Sequence, residues 1–358
     1  MSVRINEQAN EAGNYEYVTA RVRSRRASLF DDDDYRKLIR MGPGEIARFM
    51  EETEYETEMN ELGARHSGVD LVEFALSRNL AKHFDDLLDF ADGRLYDLVA
   101  RYLRKFDAWN VKTVLRGVYS DASPAEIEED LIPAGEFSDE RLERLTAAES
   151  IEDVVEILAD TIFADELEVA LEEYSDSGML VPLENAADRA FYDTLLAGIP
   201  ATEEGDSPVG LYREFLQAEV DFRNLRNVLR LARTGADVEP SAYYIDGGRL
   251  FDAAQLRQLA NNEDQIVETV RSSPYGDDLE DALVVLEEAD SLIEFEHAIH
   301  AALLEYSDTL SNRYPLSVCP VLAYVLAKER EVDNVRAIAR GREAGLDADE
   351  IERELVIL

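Results

Sequence analysis

The chain has 358 residues, 46% of them hydrophobic, and carries 78 acidic against 36 basic side chains for a formal charge of −42. The apolar fraction excludes a disordered chain, and the charge makes a poor nucleic-acid binder. Cys319 is the one cysteine, so no internal disulfide framework exists, and a reducing compartment is expected. No run of 18 or more apolar residues is present to span a bilayer, and the N-terminus carries no secretory signal pattern.

Only five of the basic residues are lysines, and the acids run through every segment instead of clustering. A charge of this size weakens the compact state by self-repulsion unless molar salt shortens the Debye length to about 3 Å. Dispersed acids with scarce lysine fit adaptation to a salt-rich cytoplasm better than a nucleic-acid mimic or a dedicated binder of basic partners.

The predicted elements, taken in chain order, are helices. Arg21, Arg23, Arg25 and Arg26 form a basic cluster for which two readings stand, a face for phosphates or an acidic partner and, favoured here, internal ion pairs for some of the four, with the buried acids as candidate partners. The four aspartates at 31–34 lack the glycine and distal glutamate of a calcium loop and read as a solvated turn. Gly42-Pro43-Gly44 precedes a helix from Glu45. Leu71, Phe74, Ala75, Leu80, Phe84, Leu87 and Leu88 keep a helical stripe. Trp109 reads as core, and Gly117 as the C-terminal stop of its helix. Ser123-Pro124 opens a further helix, and Val154, Ile157, Leu158, Ile162, Leu167 and Leu171 keep the next stripe. His297 and His300, three apart, read as packing or hydrogen-bonding residues of a helix, since no zinc-ligand order surrounds them. Residues 318–327 form a buried core helix, and Gly341 a second stop. No phosphate-binding G-x-x-x-x-G-K-[ST] loop occurs, and no cofactor or metal is expected.

One phrase is written three times: Asn110 to Arg116, Asn224 to Arg230 and Asn334 to Arg340 each read N-[VL]-[KR]-x-[VI]-[LA]-R. An acid stands three residues before each Asn, at Asp107, Asp221 and Glu331. The copies lie 114 and 110 residues apart, far beyond the roughly 20–50 residues of a solenoid repeat. Ile132-Pro133-Ala134-Gly135 is echoed by Ile245-Asp246-Gly247-Gly248, and the third copy meets the chain end where that segment falls. Upstream, 45–49, 151–155 and 264–268 echo one another. A triplicated all-α chain follows, with units at 1–140, 141–253 and 254–358. On a helical wheel with Asn at zero, the apolar positions fall at about 40°, 100° and 140° and the acid at about 60°. The two basic positions fall at about 200° and 240°. Asp107, Asn110, Asp221, Asn224, Glu331 and Asn334 are therefore repeat anchors, each acid taking hydrogen bonds from an Arg, a Tyr or backbone inside the fold. Lys112, Arg116, Arg226, Arg230, Arg336 and Arg340 are candidate partner contacts, with pairing to local acids as the alternative. Three catalytic acids are disfavoured, because nothing nucleophilic or metal-binding repeats beside them.

The strings Tyr17-Val18-Thr19-Ala20-Arg21-Val22-Arg23, Phe106 to Gly117, Glu219 to Leu225 and Lys328 to Gly341 resemble the C subunit of archaeal A-type ATP synthases, related to the d subunit of vacuolar ATPases. The acid excess points to a haloarchaeal member. The resemblance implies a pseudo-threefold funnel of three helical domains without catalytic residues or cofactors. It also implies a peripheral adapter at the cytoplasmic face of the membrane, linking the proteolipid ring to the central shaft subunits and so coupling proton flow to ATP synthesis. Composition alone leaves a free-standing acidic scaffold as the alternative.

Overall fold

The computed structural model describes residues 13–199, 207–234, 243–259, 263–273, 275–277, 279–280, 283–284 and 292–356. Every regular element among them is a helix. Local sequence sets the starts. Asp31 caps Asp32–Leu38 by accepting from the Asp34 amide while the Asp34 carboxylate returns to Asp31 N. The aspartates at 31–34 are thus a capping box with acid at the positive end of a helix dipole, a more specific use than a solvated turn. Pro43 opens Pro43–Met50, with the Glu45 carboxylate accepting from Gly42 N at 2.9 Å. Ser123 caps Pro124–Glu129 in a box with Glu126, and Asp347 caps Ala348–Glu352 in a box with Glu350.

Each phrase lies on a helix: Lys105–Tyr119, Pro208–Thr234 and Cys319–Glu343. A second set of long helices packs against these three. Val181–Ala197 lies on Lys105–Tyr119, Leu292–Arg313 on Pro208–Thr234, and Gly68–Phe90 on Cys319–Glu343. The last pairing brings the two ends of the chain together, and Tyr15–Arg26 packs on Cys319–Glu343 beside it. The apolar run 318–327 is buried throughout, as the first turns of that helix. No helix among the described residues is long and apolar enough to cross a membrane.

Two readings are corrected by packing. Gly117 and Gly341 lie inside their helices and do not terminate them. A Cβ at Gly117 would run into Ile127 and one at Gly341 into Ile351, so each glycine lets the following short helix cross at close range. Of the N-terminal arginines, Arg26 pairs with Asp308 at 2.5 Å and Arg25 with Asp86, while Arg21 lies 4.4 Å over the Phe90 ring. Those acids are about a third exposed, so the basic cluster serves partly exposed ion pairs and a cation–π stack and not the buried acids.

Candidate functional site

The three phrase asparagines make one and the same pair of bonds. Asn110 donates from Nδ2 to the Ile132 carbonyl at 2.8 Å and accepts the Ile132 amide at 2.8 Å. Asn224 does so with Ile245 at 2.8 and 3.0 Å, and Asn334 with Val356 at 2.9 and 3.0 Å. A primary amide offers a donor and an acceptor side by side, so it can satisfy both backbone groups of one residue in a segment that is neither helix nor strand. All three asparagines are at most 2% exposed, so these backbone groups have no water to turn to.

The acids act one step further along. Asp107 accepts the amides of Glu136 (2.8 Å) and Phe137 (3.0 Å), and Asp221 those of Arg249 and Leu250, both at 2.8 Å. The echoed glycines explain the approach: a Cβ at Gly135 would enter the Asp107 carboxylate, and one at Gly248 the Asp221 carboxylate. In the echoed segments, then, the isoleucine meets the asparagine and the glycine makes room for the acid. Glu331 takes its bonds from the other end of the chain, accepting Phe30 N at 2.6 Å and the Tyr55 hydroxyl at 2.7 Å. Lys328, fully buried, donates to Glu331 at 2.7 Å and to Tyr55 at 2.9 Å, and burial lowers its pKa against the pull of Glu331.

A third repeated element was missed from sequence. Thr53, Thr161 and Ser273 each donate a side-chain hydroxyl to the carbonyl three residues back and accept the amide two residues on. That amide belongs to an aromatic residue: Tyr55, Phe163 or Tyr275. Tyr55 reaches Glu331, and Tyr275 reaches Asp221 at 3.0 Å. Phe163 has no hydroxyl to offer, although its ring packs on Phe137, the residue whose amide binds Asp107. The signal was present as a hydroxyl residue two before an aromatic, some 25 residues after the amide that binds the acid. Asp107 is accordingly served by backbone alone, and burial pushes its carboxyl up to about 7 against the two amides that favour its charge. Burial raises Asp221 as well, opposed by the Leu250 and Arg249 amides and then by Tyr275.

The basic positions of the phrase reach the neighbouring long helix. Lys112 pairs with Asp188 at 2.6 Å and Arg116 with Glu184, both on Val181–Ala197. Arg336 donates to Ser77 at 3.3 Å and Arg340 pairs with Glu73, both on Gly68–Phe90. Arg226 is partly buried beside Glu296 and His300 in the wall of a cavity, while the Arg230 side chain lies outside the described residues. Burial, followed by the Arg226 charge, lowers the His300 pKa to about 4. His297 donates from Nδ1 to the Arg353 carbonyl, 3.1 Å away.

The cavity, of about 360 Å³, is walled by all three phrase helices. Lys105, Glu219 and Glu329 stand at the same place in the three copies, two residues before each acid, and all three line it. Lys105 holds Glu329 at 2.9 Å and Glu219 at 3.8 Å, so the three helices are tied to one another here. Trp109 lines the cavity and is 39% exposed, so it is not core: the apolar stripe of its helix faces away from it. No cluster of metal-ligating side chains occurs among the described residues.

Residues 18–354 match the model of the ATP synthase (C/AC39) subunit family. The chain is 64% identical to the C subunit of the A-type ATP synthase of Haloferax volcanii, over 96% of this chain and 98% of that one. It is 59% identical to that of Halobacterium salinarum over 98% and 99% of the two chains, and 36% identical to that of Methanococcoides burtonii over 98% and 96%. A match to the family model over residues 18–354, with relatives 64% and 59% identical over nearly the whole of both chains, leads to one conclusion: the chain belongs to the ATP synthase (C/AC39) subunit family.

Proposed function

We propose that this chain is a non-catalytic adapter of the rotor in a proton-driven A-type ATP synthase, seated between the membrane proteolipid ring and the central shaft. Three units, 1–140, 141–253 and 254–358, surround one axis and share the anchor geometry. Asp107 and Asp221 bind the closing segments of their own units, Tyr275 of the third unit reaches back to Asp221, and Glu331 meets Phe30 and Tyr55 of the first. The observation that carries this reading is the cavity between the three phrase helices, an axial socket into which a shaft can enter. An adapter that transmits torque needs walls that do not shear. Buried bonds between units, from Tyr275 to Asp221 and from Phe30 and Tyr55 to Glu331, together with the Lys112–Asp188 and Arg340–Glu73 pairs, supply them. The chain then works from the cytoplasmic face as a peripheral component, without chemistry of its own.

Affinity purification of the tagged chain from gently solubilised membranes in molar salt tests this. Recovery of the nucleotide-binding head subunits, the shaft and the proteolipid together is expected. Recovery of the chain alone, with the synthase intact in the flow-through, would return it to a free-standing acidic scaffold.

A further inference from the structure

In a chain with a charge of −42, the helix Tyr15–Arg26 carries four arginines and one acid. Among the described residues it has no counterpart ahead of the second and third units, where the segments 132–137 and 245–251 lead straight into Asp139–Thr146 and Ala253–Leu259. The extra helix lies on Cys319–Glu343 with Val18, Thr19 and Val22 buried, and Gly68–Phe90 of the first unit flanks it. It therefore overlaps the third unit while belonging to the first.

Its fastenings divide in the same way. Asn14 donates to the Phe90 carbonyl at 2.7 Å and accepts the Asp92 amide at 2.9 Å, Arg21 stacks on Phe90, and Arg25 pairs with Asp86, all within the first unit. Arg26 crosses to Asp308 of the third. That crossing falls where the circle of units has no covalent link. Phe137, Leu250 and Phe30 each give an amide to a phrase acid just ahead of a helix cap, at Ser138, Asp252 and Asp31. Phe137 is 30 residues from Asp107 and Leu250 is 29 from Asp221, but Phe30 is 301 from Glu331. In a flexible chain a tenfold longer loop lowers the population of the closed form about thirtyfold, so this joint lacks a fastening that the backbone gives the other two. The overlapping helix supplies one.

We propose that the three units form a clamp with one gate: the joint between the third and first units opens while the other two hold, and the helix Tyr15–Arg26 is the latch that keeps it shut. This rests on the reading of three units about one axis. Opening leaves Asn14, Arg21 and Arg25 seated on the first unit and parts Arg26 from Asp308 and Phe30 from Glu331. The third unit then swings away from the latch, and the axis gains a sideways exit without the unfolding of any unit. The crossing pair suits that use, because Arg26 and Asp308 are 31% and 30% exposed and water can take over both charges as they separate.

Hydrogen exchange of the isolated full chain in molar KCl, resolved to the three matched amides and corrected for their intrinsic rates, tests the gate. Phe30 should exchange about tenfold faster than Phe137 and Leu250. The variant Arg25→Glu with Arg26→Glu should quicken Phe30 by roughly a further tenfold and leave the other two unchanged. Should that variant lose its helical circular dichroism, Arg26→Gln replaces it, with the same direction expected. A short bismaleimide bridging the two sites of Arg26→Cys with Asp308→Cys, which the buried Cys319 does not contest, should slow Phe30 to the rate of the other two. Equal rates at the three amides of the parent chain, a quickening of all three together in the latch variant, or an unslowed Phe30 in the bridged chain each overturn the gate. None of these outcomes decides whether the chain joins shaft to ring, which the purification from membranes tests separately.

Discussion

Phe163→Tyr is the perturbation that bears most sharply on the repeated anchors. Tyr55 and Tyr275 each give a hydroxyl to the acid of the preceding phrase, at 2.7 and 3.0 Å, and Phe163 holds the matching place beside Asp107. A hydrogen bond to a charged group contributes about 1.5–3 kcal/mol, which at 1.36 kcal/mol per unit lowers the Asp107 pKa by roughly one to two units. The sign with pH follows from linkage. The folded Asp107 titrates near 7, above the unfolded value of about 3.9, so its protonated form adds stability that is fully present below pH 4 and lost as pH rises through 7. A new hydroxyl that favours the carboxylate therefore raises stability most above pH 7 and hardly at all near pH 4. Urea unfolding of the two proteins in molar KCl at pH 4.5 and pH 8, read by circular dichroism, measures the difference. A gain of equal size at both pH values means that the hydroxyl merely fills space, and a loss at both means that the three sites are not equivalent; either outcome refutes the argument.

Further outcomes follow from the same geometry. Asn110→Ala leaves the buried amide and carbonyl of Ile132 without partners, at about 1–3 kcal/mol each, so hydrogen exchange at the Ile132 amide should quicken by one to three orders of magnitude. Gly135→Ala drives a methyl into the Asp107 carboxylate and should lower the thermal midpoint, whereas Gly44→Ala, with open space around it, should not. Glu331→Asp shortens the arm that reaches Phe30, and brief proteolysis should then cut the 27–31 segment faster than in the parent chain.

The anchors were legible because burial forces a code. An acid at about 60° on an apolar stripe has to find donors, and the echoed isoleucine and glycine marked where two of the three find them. The third was hidden, since a local repeat says nothing about residue 30 lying beside residue 331 once the chain has closed on itself. Trp109 was misread for a related reason: periodicity separates the apolar side of a helix from the other side, but not a solvent face from the wall of an internal cavity. Gly117 and Gly341 were misread because a packing glycine and a stop glycine look alike until the crossing helices at Ile127 and Ile351 are in place.

The central claim is that this chain joins shaft to ring, and ATP-driven proton pumping by inverted membrane vesicles tests it most directly. Vesicles from cells lacking the chain should keep the proteolipid ring, release the shaft and head on washing in molar salt, and pump no protons until the purified chain is added back. Vesicles that retain the head and pump at the parental rate without the chain would contradict the account.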